Sequence, residues 1–108
     1  MNTLWLDDVR DPSDHGFIGA HWVKTANEAI DALKTKAFDF ASLDHDLSEQ
    51  ATLGIIVPGD KTGYDVVCWL EENPEYWPPR GCRVHSFNPS GKQRMLMVVE
   101  RHYGRQFR

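Results

Sequence analysis

Two short apolar runs in this sequence end in the same kind of side chain, and this repetition limits the folds that the chain can adopt. The first run is stopped by the acids of LWLDD at positions 4–8, and the second by the acids of FDFASLDHD at positions 38–46. Apolar runs without polar alternation are typical of strands covered on both faces, as in parallel sheets. The carboxyl ends of such strands share one edge of the sheet, and ligands bind outside that edge. We therefore expect both acidic groups to lie in one crevice.

Capping signals place three helices around these runs. A capping box begins a helix over residues 26–36, a threonine cap begins a second over 63–72, and an Asn-Pro pair at 88–89 begins the last. Residues 21–23 and 83–86 have the composition of two further short strands. Only a loop or one helical turn joins the first two strands. Strand and helix otherwise alternate, which predicts a parallel sheet with covering helices.

The composition suits one domain with its own core. Of the 108 residues 41% are hydrophobic and four are Trp, so we predict a single domain over residues 1–108. The longest apolar runs are far shorter than the roughly 20 residues of a membrane span. The first residues carry neither a basic leader nor a long apolar stretch, so we expect no membrane segment and a cytoplasmic protein. Cys68 and Cys82 lack metal-ligand spacing and are expected to be free, buried thiols.

The net charge of −4 hides an asymmetry along the chain. Residues 1–60 hold four Lys and Arg against eleven Asp and Glu, whereas residues 61–108 hold eight against five. Residues 80–108 carry seven basic side chains and a single acid, Glu100. A basic segment is usually a solvated face. Beside an acidic cluster that holds a cation, however, it favours a phosphorylated ligand that contacts both.

The converging acids predict a site for a divalent metal ion. Asp7, Asp8 and Asp44 would repel one another at the edge of the sheet unless a cation neutralised them, and hard oxygen ligands select Mg²⁺ or Mn²⁺ over softer metals. A turn or a loop cap is the alternative for the Asp7 and Asp8 pair. The recurrence of acids after the second apolar run favours the metal site.

Other polar side chains at the same strand ends predict acid-base chemistry. His45, Asp46 and His85 are candidates for proton transfer, although a structural role is the usual fate of a lone histidine. The segment 48–61 is expected to be an exposed loop of the kind that covers a site.

Four residues around the start of the last helix are candidates for phosphate binding. Helix N-termini direct free N–H groups and partial positive charge toward anions. Hydroxyl, amide and cationic side chains lie at this end of the helix, and an ordinary capped helix with a solvated charged face is the alternative. The four candidates are Ser86, Asn88, Lys92 and Arg94.

These motifs resemble the receiver domain of response regulators. The matching segments are LWLDD, ASLD and VHS, each at the end of an expected strand. The resemblance implies that Asp7 and Asp8 help to bind Mg²⁺, that Asp44 accepts a phosphoryl group and that Ser86 contacts phosphate. Two elements of that family have no counterpart here: the first helix, and the fifth strand with its phosphate-binding lysine.

The sequence is more similar to a receiver-like group that is proposed to process cyclic phosphates. That group has the motifs LxLDDxRxP, SLDHDL, TGYDVVxW and VHSxNPxGxxRM, which match positions 4–12, 42–47, 62–69 and 84–95. The resemblance implies an α/β domain of the flavodoxin-like, three-layer type with a truncated, four-stranded parallel sheet in the order 2-1-3-4. Arg10 belongs to these motifs without an assigned role, as does Tyr64.

The activity that this resemblance implies is a metal-dependent phosphoesterase acting on cyclic phosphates, such as the 2′,3′-cyclic end of an RNA in RNA repair, or a cyclic nucleotide. His45 or Asp46 would take a proton from water, and His85 would protonate the departing sugar oxygen. One alternative is a phosphoacceptor signalling module without turnover, with Asp44 as acceptor. Another is a nucleic-acid-end-binding accessory whose basic patch consists of Arg80, Arg83, Arg94, Arg101, Arg105 and Arg108.

Overall fold

The computed structural model describes residues 2–47 and 61–106. Four strands form one sheet in the order β2-β1-β3-β4, and every neighbouring pair is parallel. The predicted α/β receiver-like architecture and the strand order 2-1-3-4 are confirmed. The strands are β1 (Thr3–Leu6), β2 (His21–Val23), β3 (Phe40–Leu43) and β4 (Gly81–Val84).

Among the described residues, three α-helices follow the predicted capping signals. They are α1 (Ala26–Lys34), α2 (Gly63–Glu72) and α3 (Pro89–Gln106). Helix α1 ends two residues earlier than expected because Lys36 adopts a left-handed conformation with φ of 59°. Short 3₁₀ turns lie at Pro12–His15 and Pro74–Tyr76. The predicted loop over residues 48–61 lies, up to residue 60, outside the described residues.

The main core lies between the three helices and one face of the sheet. Alternate strand residues such as Leu4, Leu6 and Leu43 are fully buried in it because successive side chains of a strand point to opposite faces. Helix α2 contributes Val67 and Leu70, and α3 contributes further apolar residues. The expected inner residue Tyr64 is only half-buried, and Val66 is buried instead.

In the part of the chain that the structure describes, no α-helix lies on the opposite face of the sheet, which we call the helix-free face. Trp5 points to this face, where its ring packs against His15 and Phe17 from the segment that joins β1 to β2. Right-handed crossovers account for this division. The β1–β2 connection runs in the opposite direction along the sheet from the other two, so it lies on the other face. The third layer is thus reduced to a 3₁₀ turn and its flanking loop.

Two strand boundaries differ from the expected ones. Strand β3 begins at Phe40 and not at residue 38, and β4 covers Gly81–Val84 and not 83–86. His85 therefore follows the strand, although its N–H still donates to the Leu43 carbonyl at 2.9 Å.

Two further points concern the cysteines and membrane spans. Cys68 and Cys82 are free thiols as expected, but both are half-buried. Among the described residues, no helix has the length and hydropathy that crossing a membrane requires.

Candidate functional site

The loop after β1 is fixed by two indole groups. The Trp22 Nε1–H donates to the Asp7 carbonyl at 2.7 Å, and the Trp5 Nε1–H donates to the Arg10 carbonyl at 2.9 Å. Asp7 Oδ1 accepts the backbone N–H groups of Val9 and Arg10, both at 2.9 Å. One oxygen of Asp7 therefore caps the loop, which was the alternative foreseen for this residue.

The predicted convergence of three acids is confirmed. Asp7, Asp8 and Asp44 each place a carboxylate oxygen within 4.8 Å of the others. Asp7 and Asp44 are buried and Asp8 is half-buried. Hydrogen bonds from the Asp7 N–H to the β2 residue Val23 and from the Asp44 N–H to Leu6 extend the parallel pairing beyond the strands and hold the acids side by side.

Arg10, which belongs to the sequence motifs without an assigned role, lies within this cluster. Its Nε lies 2.9 Å from Asp7 Oδ2, and its Nη2 lies 3.3 Å from Asp44 Oδ1. Arg10 follows Asp7 by three residues, and this spacing was the one feature of the sequence that indicated an ion pair between them. Within the cluster, one guanidinium thus faces three carboxylates, so the positive charge does not balance the negative charge.

The pKa values of the acids reflect this imbalance. Burial, and next the charge of Asp7, raise the pKa of Asp44 to about 7 against the opposing charge of Arg10. Burial and the charge of Asp7 also raise the pKa of Asp8. Burial acts in the same direction on Asp7, but hydrogen bonds from His85 and from two backbone N–H groups outweigh it and leave the pKa of Asp7 below its ordinary value.

The cluster fits a divalent cation. Asp8 Oδ1 is buried and has no hydrogen-bond partner among the described residues, and an unpaired buried carboxylate oxygen is costly. Hard oxygen donors in a group with excess negative charge are the ligands that Mg²⁺ and Mn²⁺ prefer. Asp8 and Asp44 meet this requirement most directly, because both oxygens of Asp7 already accept hydrogen bonds or ion pairs.

His85 lies on the helix-free face of the sheet. Its Nε2 is 3.1 Å from Asp7 Oδ2, its Nδ1 is 2.6 Å from the hydroxyl of the fully buried Ser42, and its ring stacks on Trp5 with centroids 3.9 Å apart. Burial lowers the pKa of His85, and this effect outweighs the opposing effect of Asp7. The neutral tautomer that donates from Nε2 to Asp7 and accepts the Ser42 hydroxyl proton at Nδ1 satisfies every one of these contacts.

His45 and Asp46 form the second polar pair at the edge of the sheet. His45 Nδ1 lies 2.8 Å from Asp46 Oδ1, and the His45 side chain is almost fully buried. Gly91 of α3 packs against the ring so closely that a Cβ there would lie 2.5 Å from Cδ2. At the start of α2, Gly63 donates its N–H to the His45 carbonyl at 3.0 Å, and a Cβ on Gly63 would overlap the Asp44 carbonyl. Two helix starts therefore fix this segment.

The four predicted phosphate-binding residues are not all brought to the acids. Asn88 caps α3 by accepting the Gly91 N–H at 3.0 Å, and its amide lies 3.4 Å from Asp46. The Ser86 hydroxyl accepts the Asn88 N–H at 3.1 Å. Arg94 lies over the Tyr64 ring on α2. Lys92 is half-buried in the first turn of α3.

A cleft of about 200 Å³ opens beside the acidic cluster. Lys92 and Arg94 are not among the described residues that line this cleft. Its lining combines acids, one guanidinium and two exposed apolar side chains, so it offers both charged and apolar contacts to a ligand. The lining residues are Asp8, Val9, Arg10, Asp44, Asp46 and Phe87.

The basic residues of the second half do not form one surface. The Arg83 guanidinium lies over Phe17 on the helix-free face. On the helical side, Arg101 Nη2 forms a 2.8 Å ion pair with Glu71. The patch expected for a nucleic-acid-binding accessory is thus divided between two faces. Outside the described residues lie Arg108 and the side chain of Arg105.

Comparison with known families agrees with the geometry. A family model described as the cyclic-phosphate processing receiver domain matches residues 2–101. No curated protein and no solved structure gave a match. The match covers nearly all of the chain and includes every residue of the acidic cluster and both histidines beside it. The chain belongs to the cyclic-phosphate processing receiver domain family.

Proposed function

We propose that this protein is a metal-dependent phosphoesterase that opens cyclic phosphates of nucleotides or of RNA ends. The observation that carries the proposal is the acidic cluster beside the cleft, which contains a buried carboxylate oxygen that has no partner among the described residues. A cyclic phosphodiester carries one negative charge, and Arg10 and a cation held by the cluster would supply the positive charge that it needs. Membership of a family associated with cyclic-phosphate processing supports this substrate class.

Asp8 and Asp44, with Asp7 behind them, would hold Mg²⁺ or Mn²⁺. A bound divalent cation would polarise the phosphoryl oxygens and lower the pKa of a nearby water. Arg10 spans Asp7 and Asp44 and lines the cleft. Its guanidinium therefore both fixes the two carboxylates and faces a bound phosphate. Ser86, Asn88 and the N–H groups at the start of α3 would bind the remaining phosphate oxygens.

We assign proton transfer to the His45 and Asp46 pair. Water attacks phosphorus, the bond from phosphorus to one ribose oxygen breaks, and the products are a phosphomonoester and a free hydroxyl. His45 takes one proton from the attacking water, and the departing oxygen takes one proton from the solvent. Asp46 accepts a hydrogen bond from Nδ1 and so fixes the tautomer in which Nε2 acts as the base.

We assign to His85 the positioning of Asp7. Both of its ring nitrogens have partners inside the protein, Asp7 at Nε2 and Ser42 at Nδ1. The sequence-based hypothesis made His85 the acid that protonates the leaving oxygen. An acid is required only when the substrate has a poor leaving group, whereas a residue that positions Asp7 is required for every substrate. One variant therefore separates the two roles.

We expect His85→Ala to lower turnover roughly 10- to 100-fold, as the loss of a partner behind a metal ligand commonly does. The loss should be equal for a nucleoside cyclic phosphate and for a p-nitrophenyl phosphodiester, and Mg²⁺ binding by calorimetry should weaken. His85→Gln, whose amide can still donate to Asp7, should recover part of the turnover and part of the Mg²⁺ affinity. Rescue by the p-nitrophenyl leaving group, with unchanged Mg²⁺ affinity, would instead establish His85 as the acid.

The function itself is tested by turnover and by metal removal. Wild-type protein with Mg²⁺ or Mn²⁺ should convert 2′,3′-cyclic adenosine monophosphate, or an oligoribonucleotide with a 2′,3′-cyclic end, into the opened monophosphate. In ¹⁸O-labelled water the product should gain one labelled oxygen on phosphorus, and EDTA should abolish the reaction. No product with either metal would refute the proposal. A hydroxylamine-labile phosphoryl adduct on Asp44 after incubation with acetyl phosphate, without hydrolysis, would favour the signalling alternative.

A further inference from the structure

Phe87 is an exposed aromatic residue at the mouth of the cleft. Its side chain is 86% exposed, yet it lines the same cleft as the acids Asp8 and Asp44. Exposure of this extent leaves most of an apolar ring in water. Single exposed apolar residues are common on protein surfaces, so exposure alone does not assign a role to Phe87.

One face of the Phe87 ring is occupied by Arg10. The guanidinium carbon lies 4.4 Å from the ring centroid, within the range of a cation–π contact. Arg10 is itself fixed by Asp7 and Asp44 through its ion pairs. The Phe87 ring is therefore held through the Arg10 guanidinium to the carboxylates of Asp7 and Asp44. The face of the ring opposite Arg10 points away from this guanidinium.

The backbone on either side of Phe87 is also held. His85 is bonded to the sheet through its N–H, and Asn88 is the cap of α3 and accepts a hydrogen bond from Gly91. The Ser86 hydroxyl closes the turn between them by accepting the Asn88 N–H. A ring supported from one face and from both chain directions loses little conformational freedom when a flat ligand stacks on it.

The lining of the cleft combines charged and apolar side chains. Val9, which is 67% exposed, also lines the cleft. Ile18 is 86% exposed, as Phe87 is, but does not line it. A ligand that fills such a cleft has an anionic group beside a flat apolar group. Nucleotides have this combination, and cyclic phosphates of small polyols lack the flat group.

We propose that Phe87 stacks on the nucleobase of the substrate and thereby selects nucleoside cyclic phosphates over cyclic phosphates without a base. The inference rests on the proposed function and identifies its substrate class. Stacking is tolerant of sequence because every base has a π face. Purine and pyrimidine substrates should therefore both be accepted, and the discrimination should be against the absence of a base.

The test compares two substrates across matched variants. On 2′,3′-cyclic adenosine monophosphate, Phe87→Ala should lower kcat/KM by roughly 5- to 100-fold, the range expected for the loss of one base–aromatic stack. On glycerol 1,2-cyclic phosphate the same variant should match the wild type. Phe87→Tyr should keep the preference for the nucleotide, and Ile18→Ala should alter neither rate. Equal losses on both substrates would overturn the stacking role and leave the proposed function intact.

A binding experiment separates this inference from the proposed function. Adenosine 3′-monophosphate should shift the Phe87 ring protons upfield in NMR spectra of the wild-type protein, whereas glycerol phosphate should not. If the wild type hydrolyses neither substrate, the phosphoesterase proposal fails, and the ring shift still decides whether a base stacks there. Absence of the shift at saturating nucleotide overturns the stacking proposal whatever the rates are.

Discussion

Replacing Asp44 by asparagine should remove turnover and, in the same molecule, stabilise the metal-free protein. Asp44 is buried and lies near the charge of Asp7, and Arg10 and the His45 N–H offset its burial and this repulsion only in part. Asparagine keeps the size of the side chain and removes its charge. Functional sites characteristically contain residues that the chemistry requires although they make the fold less stable.

We expect the Asp44→Asn variant to lose about 10³-fold in turnover, because a metal ion supplies several kcal/mol of charge stabilisation in the transition state and each 1.36 kcal/mol is a factor of ten. Mg²⁺ binding by calorimetry should weaken in parallel. Asp31→Asn removes the same charge from an exposed position on α1 and is the matched control. Near-native turnover in the Asp44→Asn variant would show that this carboxylate is not required for the reaction.

The stability effect has a definite pH dependence. The pKa of Asp44 lies at about 7 in the folded protein and at its ordinary value of 3.8 when unperturbed. A raised folded pKa means that the folded state binds the proton more tightly, so the contribution to stability is fully present below pH 3.8 and is lost as pH rises through 7. Asp7 acts in the opposite sense, but its lowered pKa confines that effect to pH values below its ordinary range.

Urea denaturation in EDTA measures this dependence directly. From pH 4 to pH 8 the unfolding free energy of the wild type should fall relative to that of Asp44→Asn, and Mg²⁺ at pH 8 should restore the wild type without affecting the variant. If Asp44→Asn is the less stable protein at pH 8 in EDTA, the carboxylate is stabilised by its neighbours and the imbalance of charge that we infer does not exist.

The acidic cluster could be predicted from the sequence because parallel strands end together. Two apolar runs that stop in acids are sufficient to bring Asp7, Asp8 and Asp44 to one edge once the sheet is parallel. The sheet order follows from the family resemblance. Both inferences depend on the direction and the ends of the strands, which apolar runs and the polar residues after them indicate. Neither inference requires knowledge of side-chain conformations.

The side on which each side chain lies at the edge depends on register. Trp5 pairs with Ser42, and Ser42 pairs with Arg83, and the backbone hydrogen bonds continue this pairing past the strand ends. Period-two alternation then places His85 and Asp7 on the face of Trp5 and Ser42. The expectation that both histidines face one crevice was based on the ends of the strands alone. It did not include the alternation of side chains between the two faces of the sheet.

Arg10 and Phe87 could not be assigned from the sequence for a different reason. Their positions depend on loops, and the loop after β1 takes its course from the indole N–H groups of Trp5 and Trp22, which bond to carbonyls at both ends of it. Such long-range contacts leave no periodic pattern. The tight approaches at Gly63 and Gly91 likewise become visible only when the helices are packed against the strand ends.

Replacing His45 by glutamine should lower turnover by roughly 10²- to 10⁴-fold, the usual contribution of a general acid or base. Glutamine can keep a hydrogen bond to Asp46 and fills similar space, but it cannot carry the proton. The loss should be similar on a nucleoside cyclic phosphate and on a p-nitrophenyl phosphodiester, because both reactions require a base that takes the proton of the attacking water. His21→Gln, at an exposed strand position, should leave both rates unchanged.

Two glycines of the same helix provide a test of the His45 orientation that leaves its chemistry intact. Gly91→Ala forces a methyl group to within 2.5 Å of the imidazole, whereas a Cβ on Gly104 would meet nothing within 4 Å. Gly104→Ala should retain full turnover and gain roughly 0.5–1 kcal/mol of stability from higher helix propensity. Gly91→Ala should lose turnover toward the level of His45→Gln, because the ring must leave its contact with Asp46. Full activity of both His45→Gln and Gly91→Ala would exclude His45 from proton transfer and leave Asp46 as the base.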